Sequence, residues 1–387
     1  MKKLFTLFIF VISYHYLQAQ EAVNYDKEKL LEYYQSQRYA EAAQYLQTVY
    51  PEDVKNLKVL NQIAYCYMMA GKLVDAEKNY TKIIEQQPNS LPVLFNLANI
   101  NLRRGNDVKA KTYLESIIKI DSNNFNAYKQ LAGLYIKDTD SQKVEYLFKA
   151  NKINPIEADV ALDLALSYRK LENYEPAYKI LTKAIEADTG HLVLQEAILP
   201  IAIKLKKYKE VITTGEKLLK VGDDGNVVKE VGMAYFYLKD YEKAISYFKM
   251  LEVMGNQKES SLYYTSLSYR SLNNYKLAAE YAKKTIEEGI SQNTSSYYLL
   301  LGGIYEINKQ FISAASAYKR GLTFAENGNF YYRLGILNDF NLKQPKSALN
   351  YYKLYLKSKP DSTTEQQQIE YTNDRITALG TPKKTSN

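Results

Sequence analysis

Apolar residues along this chain recur in blocks that read as two short helices. In residues 57–90, Leu60, Ile63, Ala64 and Tyr67 fall at i, i+3, i+4 and i+7, which is one helical face. Gly71 interrupts the run, since glycine readily takes the left-handed backbone that ends a helix. Ala76, Tyr80, Ile83 and Ile84 then form a second face, and Pro88 stops it. One such hairpin cannot bury both apolar sides within itself. It must stack on others like it.

The stack has a period. Tyr33, Tyr67, Tyr135, Tyr168, Tyr235, Tyr269 and Tyr305 are spaced by 34, 68, 33, 67, 34 and 36 residues, with Asn101 and Ala202 filling the two gaps. A small residue stands three places ahead of most of these, at Ala64, Ala98, Ala132, Ala165, Gly232, Ser266 and Gly302, and another nine places after, as at Ala76, Ala110, Ala177, Ala244, Ala278 and Ala314. Small side chains at both places let paired helices approach closely. From Val23 to Pro360 the chain has 338 residues, which divides into ten units of 34. The fourth has lost a residue before Pro155, and the tenth has gained one near Asn341, Leu342 and Lys343. Pro200 falls inside the first helix of the sixth unit, where it predicts a kink or break, read either as a tolerated kink between packed neighbours or as a hinge or widened groove.

With its Leu-Ala-Tyr series, its turns such as Asn173-Tyr174-Glu175-Pro176-Ala177 and Asp240-Tyr241-Glu242-Lys243-Ala244, and terminal prolines Pro88, Pro155 and Pro360, the chain resembles the tetratricopeptide repeat family. Tryptophan, common early in the family's unit, is absent throughout. The resemblance implies an all-α fold: a right-handed superhelix, or α-solenoid, of about ten helix-turn-helix repeats over residues 21–360, in one continuous array. A closing helix is expected over 361–380, with Ser362 and Glu365 as its capping box, Ile369, Ile376 and Leu379 as a sparse apolar stripe and Gly380 at its end. Residues 381–387 read as a disordered tail.

Composition narrows the chemistry. Gly and Pro number only 16 and 9, so turns are scarce, and Cys66 stands alone, which excludes an intramolecular disulfide and any cysteine-based zinc site. Cys66 reads as a buried, inert thiol and His191 as a solvated loop residue. No phosphate-binding loop, nucleophile elbow or zinc-helix motif occurs, so no catalytic residue, cofactor or metal site is expected and the chain reads as non-enzymatic. Met1-Lys2-Lys3, the apolar run from Leu4 to Ile12 and Leu17-Gln18-Ala19-Gln20 read as a signal peptide over residues 1–20. Its removal takes the formal charge from +8 to +6. The expected location is the periplasm or outer membrane of a Gram-negative bacterium, with no transmembrane segment in the mature form and at most peripheral membrane association.

In the resembled family, partners lie in the concave groove formed by the first helix of each unit, at its second, fifth, ninth and twelfth places. Those places here give Lys58, Asn61 and Tyr65; Phe95, Asn99 and Leu102; Lys129 and Ile136; Asp159 and Arg169; Lys229 and Phe236; Tyr263 and Arg270. This mixed aromatic and cationic lining suits a protein or an extended peptide that brings negative charge. The even spread of lysines, many near glutamates, argues against nucleic acid. The competing expectation is a carbohydrate-binding or carbohydrate-processing helical repeat protein whose tyrosines, Tyr65 and Tyr263 above all, stack on sugar rings.

Overall fold

A computed structural model of the chain describes residues 25–50, 54–289 and 291–381; the expected signal peptide and all but Thr381 of the expected tail lie outside them. The described residues form helices and connecting turns, with no strand among them. Contacts divide the chain into two compact units, 1–187 and 188–387.

The first unit holds five antiparallel pairs: α1 (Lys27–Gln35) with α2 (Tyr39–Val49), α3 (Leu57–Met69) with α4 (Leu73–Gln86), α5 (Leu91–Arg103) with α6 (Asp107–Ile120), α7 (Phe125–Gly133) with α8 (Ser141–Ile153), and α9 (Ala158–Lys170) with α10 (Tyr174–Ala187). The second holds α11 (Leu192–Lys204) with α12 (Tyr208–Leu219), α13 (Gly225–Tyr237) with α14 (Tyr241–Val253), α15 (Glu259–Ser271) with α16 (Tyr275–Glu287), α17 (Thr294–Ile307) with α18 (Phe311–Leu322), and α19 (Gly328–Ile336) with α20 (Pro345–Lys357). A last helix, α21 (Gln366–Gly380), packs on α20. Among the described residues ten pairs and a closing helix are thus present, each unit an α-solenoid stack.

The turn inside a pair explains the period. The carbonyl of the period residue accepts the backbone N–H five residues on, as from Lys72 to Tyr67 at 2.9 Å, Asn173 to Tyr168 at 2.8 Å and Gln310 to Tyr305 at 2.8 Å. The residue in between, four past the period place, takes left-handed backbone: Gly71 at φ 74°, Glu172 at 58°, Lys309 at 59°. This is the closing turn that satisfies the last carbonyls of a helix. The apolar face then buries Leu60, Ile63 and Ala64 against Ala76, Tyr80 and Ile83.

Small residues three places before the period residue admit a ring from the second helix of the same pair. A methyl group added at Gly232 would overlap Phe248, and one at Gly302 would overlap Tyr318, each ring 16 residues on. At Gly335 the ring is Tyr352, 17 residues on, because the tenth pair carries the extra residue. A π-helical turn, Leu337–Asn341, absorbs it at the end of α19: Leu342 donates to Leu337 at 2.9 Å, and the closing bond runs from Gln344 to Asn338, six residues instead of five, at 2.7 Å.

Four expectations need correction. Helix α11 runs through Pro200 without a break, because the carbonyl that loses its donor belongs to exposed Glu196, where water can serve it. In the fourth pair, α7 stops at Gly133, so Tyr135 and Ile136 lie past the helix end instead of on it. The closing helix starts at Gln366 with Glu365 at its N-cap and no side-chain cap; Asp361, whose Oδ1 accepts the Thr363 and Thr364 N–H groups at 2.7 and 3.1 Å, shapes the turn before it, and Ser362 takes no part. Finally, His191 caps α11 by accepting the Leu194 N–H on Nδ1 at 3.4 Å, and is half-buried. Cys66 is buried as expected, its thiol 3.4 Å from the Tyr34 hydroxyl and pushed up in pKa by burial.

Candidate binding surface

First helices present the places read from the sequence, and burial sorts them. On α3, Lys58, Asn61 and Tyr65 are all exposed, at i, i+3 and i+7 of one face. Tyr65 stands edge-on to Tyr34 and Tyr39, with ring centroids 6.5 and 6.1 Å away. Phe95 and Asn99 on α5 are half-buried, and Phe95 packs on the core beneath it. Ile136 is exposed, but on the turn after α7.

Lys129 is no free cation. Its ammonium lies 2.6 Å from Glu157 Oε1 and 3.1 Å from Asp159 Oδ2, and the Glu157 bond foremost raises its pKa. Asp159, read as a separate groove residue, is thereby the partner of Lys129. Arg169, at the end of α9, is half-buried and makes no ion pair among the described residues.

In the second unit, Lys229 sits 3.0 Å from Glu230 Oε1 and lines a 290 Å³ hollow with Asp224, Asn256 and Lys258, formed by the turns that enter α13 and α15. Phe236 meets Tyr237, Tyr241 and Tyr264 at 5.5, 5.7 and 5.0 Å between centroids. Tyr263 packs on Tyr264 and Tyr297. Most aromatic area on these first helices is therefore spent on other rings.

Tyr263 and Arg270, however, come together in a cavity of about 460 Å³ across three successive first helices. Helix α15 contributes Tyr263, Leu267 and Arg270, α17 contributes Ser296, Leu299, Leu300 and Gly303, and α19 contributes Asn329 and Arg333. Tyr318, 1% exposed, forms the floor, which the absence of a side chain at Gly303 leaves open. Burial pushes the phenol of Tyr318 well above its ordinary pKa, so it remains a neutral hydrogen-bonding group. Arg270 is exposed and has no carboxylate partner among the described residues. Arg333 lies 3.5 Å from Glu306 Oε2, a carboxyl that burial shifts upward and Arg333 pulls back down.

Reading one unit further would have found this cavity. Ser296 and Asn329 occupy the same second place as Lys58, Leu299 the fifth place and Glu306 the twelfth, but only Tyr263 and Arg270 were singled out. Arg333 falls at the sixth place of α19, which the four-place pattern does not select. Among the described residues no cluster of ligating side chains could hold a metal ion, and no helix is long and apolar enough to cross a membrane.

Models of the tetratricopeptide repeat match residues 68–135, 158–191 and 230–249. The chain is similar to a TPR repeat-containing protein of Methanocaldococcus jannaschii, 24% identical over 258 residues, which cover 59% of this chain and 44% of the relative. It is also similar to the Sol locus transcriptional repressor of Clostridium acetobutylicum, 27% identical over 268 residues, 68% of this chain and 83% of the relative. Among solved structures, a tetratricopeptide repeat protein from Parabacteroides merdae aligns with 18% identity and a TM-score of 0.39, covering 64% of this chain and 98% of that one. The match spans under half the length of the first of these relatives.

Proposed function

Since its matched segments are tetratricopeptide repeats, a scaffold that generally mediates contacts between proteins, we propose that this chain is a non-enzymatic adaptor that binds proteins or peptides. The surface it uses is the face of the first helices, and the observation that carries this reading is the cavity spanning α15, α17 and α19. An open trough with apolar walls and a few convergent polar groups suits an extended chain. The N-terminal signal motivates the rest of the proposal: export, removal of residues 1–20, and work in the periplasm or at the outer membrane of a Gram-negative cell, without nucleic acid.

A photoreactive amino acid at Ser296, inside the cavity, is expected to cross-link a partner protein in intact cells, and the same group at Val253, which is 90% exposed on a second helix, is expected not to. Equal labelling from both positions, or from neither, rejects the assignment. Cell fractionation with N-terminal sequencing of the mature chain tests export. Recovery of the uncleaved chain from the cytoplasm would remove the envelope role while leaving the adaptor reading in place. The carbohydrate reading is the weaker one, because Tyr65 and Tyr263 already press their rings on other tyrosines.

A further inference from the structure

The cavity on pairs eight to ten has its charge at the ends and its apolar surface in the middle. Arg270 comes from α15 on one side and Arg333 from α19 on the other, while Leu299 and Leu300 on α17 lie between those helices and Leu267 precedes Arg270 by one turn on α15. Neighbouring packed helices lie about 8–10 Å apart, so crossing from α15 to α19 takes an extended peptide of roughly five or six residues at ~3.3 Å each. Side chains alternate along such a peptide, so every second one faces the trough.

The two arginines differ in support. Glu306 is mostly covered and lies beside Arg333, orienting its guanidinium while leaving that side chain 54% exposed. Arg270 has no counter-charge among the described residues. Two guanidinium groups against one shielded carboxylate leave the trough with unbalanced positive charge. Each guanidinium offers a planar fork of donors that matches a carboxylate. Ser296 and Asn329, both exposed at the rim, supply neutral hydrogen bonds for a peptide backbone.

We propose that this trough reads an extended peptide segment carrying two acidic side chains, one on each side of an aliphatic one, with Arg270 and Arg333 taking the carboxylates and Leu267 and Leu299 the aliphatic group. The inference rests on the peptide-binding reading above and adds the class of peptide. The acids belong to side chains within the segment: the trough is open along three helices, and its cations stand at both ends instead of gathering at one.

The test uses the full chain on an array of random nine-residue peptides blocked at both ends, beside a second set with free C-termini and a random oligoribonucleotide. Blocked peptides with acid-aliphatic-acid spacing are expected to be enriched, and binding to fall as salt is raised. Arg270→Ala and Arg333→Ala should each weaken binding of the enriched peptides about tenfold, since each removes one charge-assisted contact. Both residues are exposed, and an unchanged thermal melt verifies that the variants fold. Gly303→Leu fills the floor and should abolish the enrichment; a Val253→Ala control should change nothing. Enrichment of peptides without acids, or indifference to both arginine substitutions, overturns the proposal and leaves the peptide reading standing. Binding confined to free C-termini, or tighter binding of the oligoribonucleotide through the same arginines, overturns it as well. If no peptide binds at all, the peptide reading falls with it.

Discussion

The side-chain amide of Asn101 donates to Glu77 Oε1 at 3.2 Å and to the Leu97 carbonyl at 2.9 Å, from a place where most other pairs put tyrosine. Tyr235 makes the matching contact in the second unit, its hydroxyl 2.7 Å from Glu216 Oε1 on the second helix of the preceding pair. In these two pairs the period place is therefore a hydrogen-bonded joint to the preceding pair. Glu77 also takes Arg104 and, at 3.3 Å, Lys109. Glu77→Ala should lower stability by about 1–3 kcal/mol in urea unfolding, because buried Asn101 loses an acceptor. Lys109→Ala, at a surface pair, should cost under about 0.5 kcal/mol.

Gly71 and Glu172 occupy the same place in their turns, at φ 74° and 58°. Only glycine avoids the clash of a side chain there. Glu172→Gly is accordingly expected to stabilise the chain by roughly 0.5–1 kcal/mol and Gly71→Ala to destabilise it by about the same. Thermal melts of the two variants should move in opposite directions; shifts of the same sign would show that side-chain contacts, not backbone strain, dominate the turn.

Asp138, on the short turn after α7, accepts from Lys143 and Lys170, each at 2.5 Å, and so fastens the fourth pair to the fifth. The Lys143 bond, then the Lys170 bond, hold its carboxyl below the ordinary value of 3.8. A group whose pKa is lowered by folding stabilises the fold above its unfolded value, and that stabilisation is lost as pH falls through the folded one. Asp138→Asn should cost about 1 kcal/mol at pH 7, discounted for its partial exposure. The gap between variant and wild type should hold down to roughly pH 5 and close as pH drops below the ordinary carboxylate range. A gap independent of pH would assign the effect to the turn and not to the ion pairs.

The closing helix is held by a fork. Arg375 Nε and Nη2 donate to Asp339 Oδ2 and Oδ1 at 2.8 and 3.0 Å, and Tyr352 reaches the same carboxylate at 3.3 Å. Arg375→Ala should strip hydrogen-exchange protection from α21 first while leaving α15 to α18 protected, a local loss of about 1–3 kcal/mol. Arg375→Lys should recover only part of it, since an ammonium cannot make both bonds in one plane. Uniform loss of protection across the second unit would mean that α21 and the pairs open together.

Helix pairs were legible because the period is written twice, once in the apolar face and once in the turn that closes on it. Residues Gly232, Gly302 and Gly335 show what was not legible: their small size matters because of rings 16 or 17 residues on, a relation across two helices that spacing alone does not reveal. Lys129 illustrates the same limit for the site. Its place on the first helix was read correctly, but Glu157 and Asp159 in the next pair neutralise it. Ser362 is no cap because the residues after it fold into a turn on Asp361, and the helix begins only at Gln366.

The π-helical turn at Leu337–Asn341 also bears on how such a chain can lengthen. One added residue turns everything after it by about 100° relative to an uninterrupted helix. In the tenth pair that turn carries Asp339, which holds the arginine of the closing helix. Duplicating this pair would copy both the offset and Asp339, whose carboxylate would then need a new arginine in the place of Arg375.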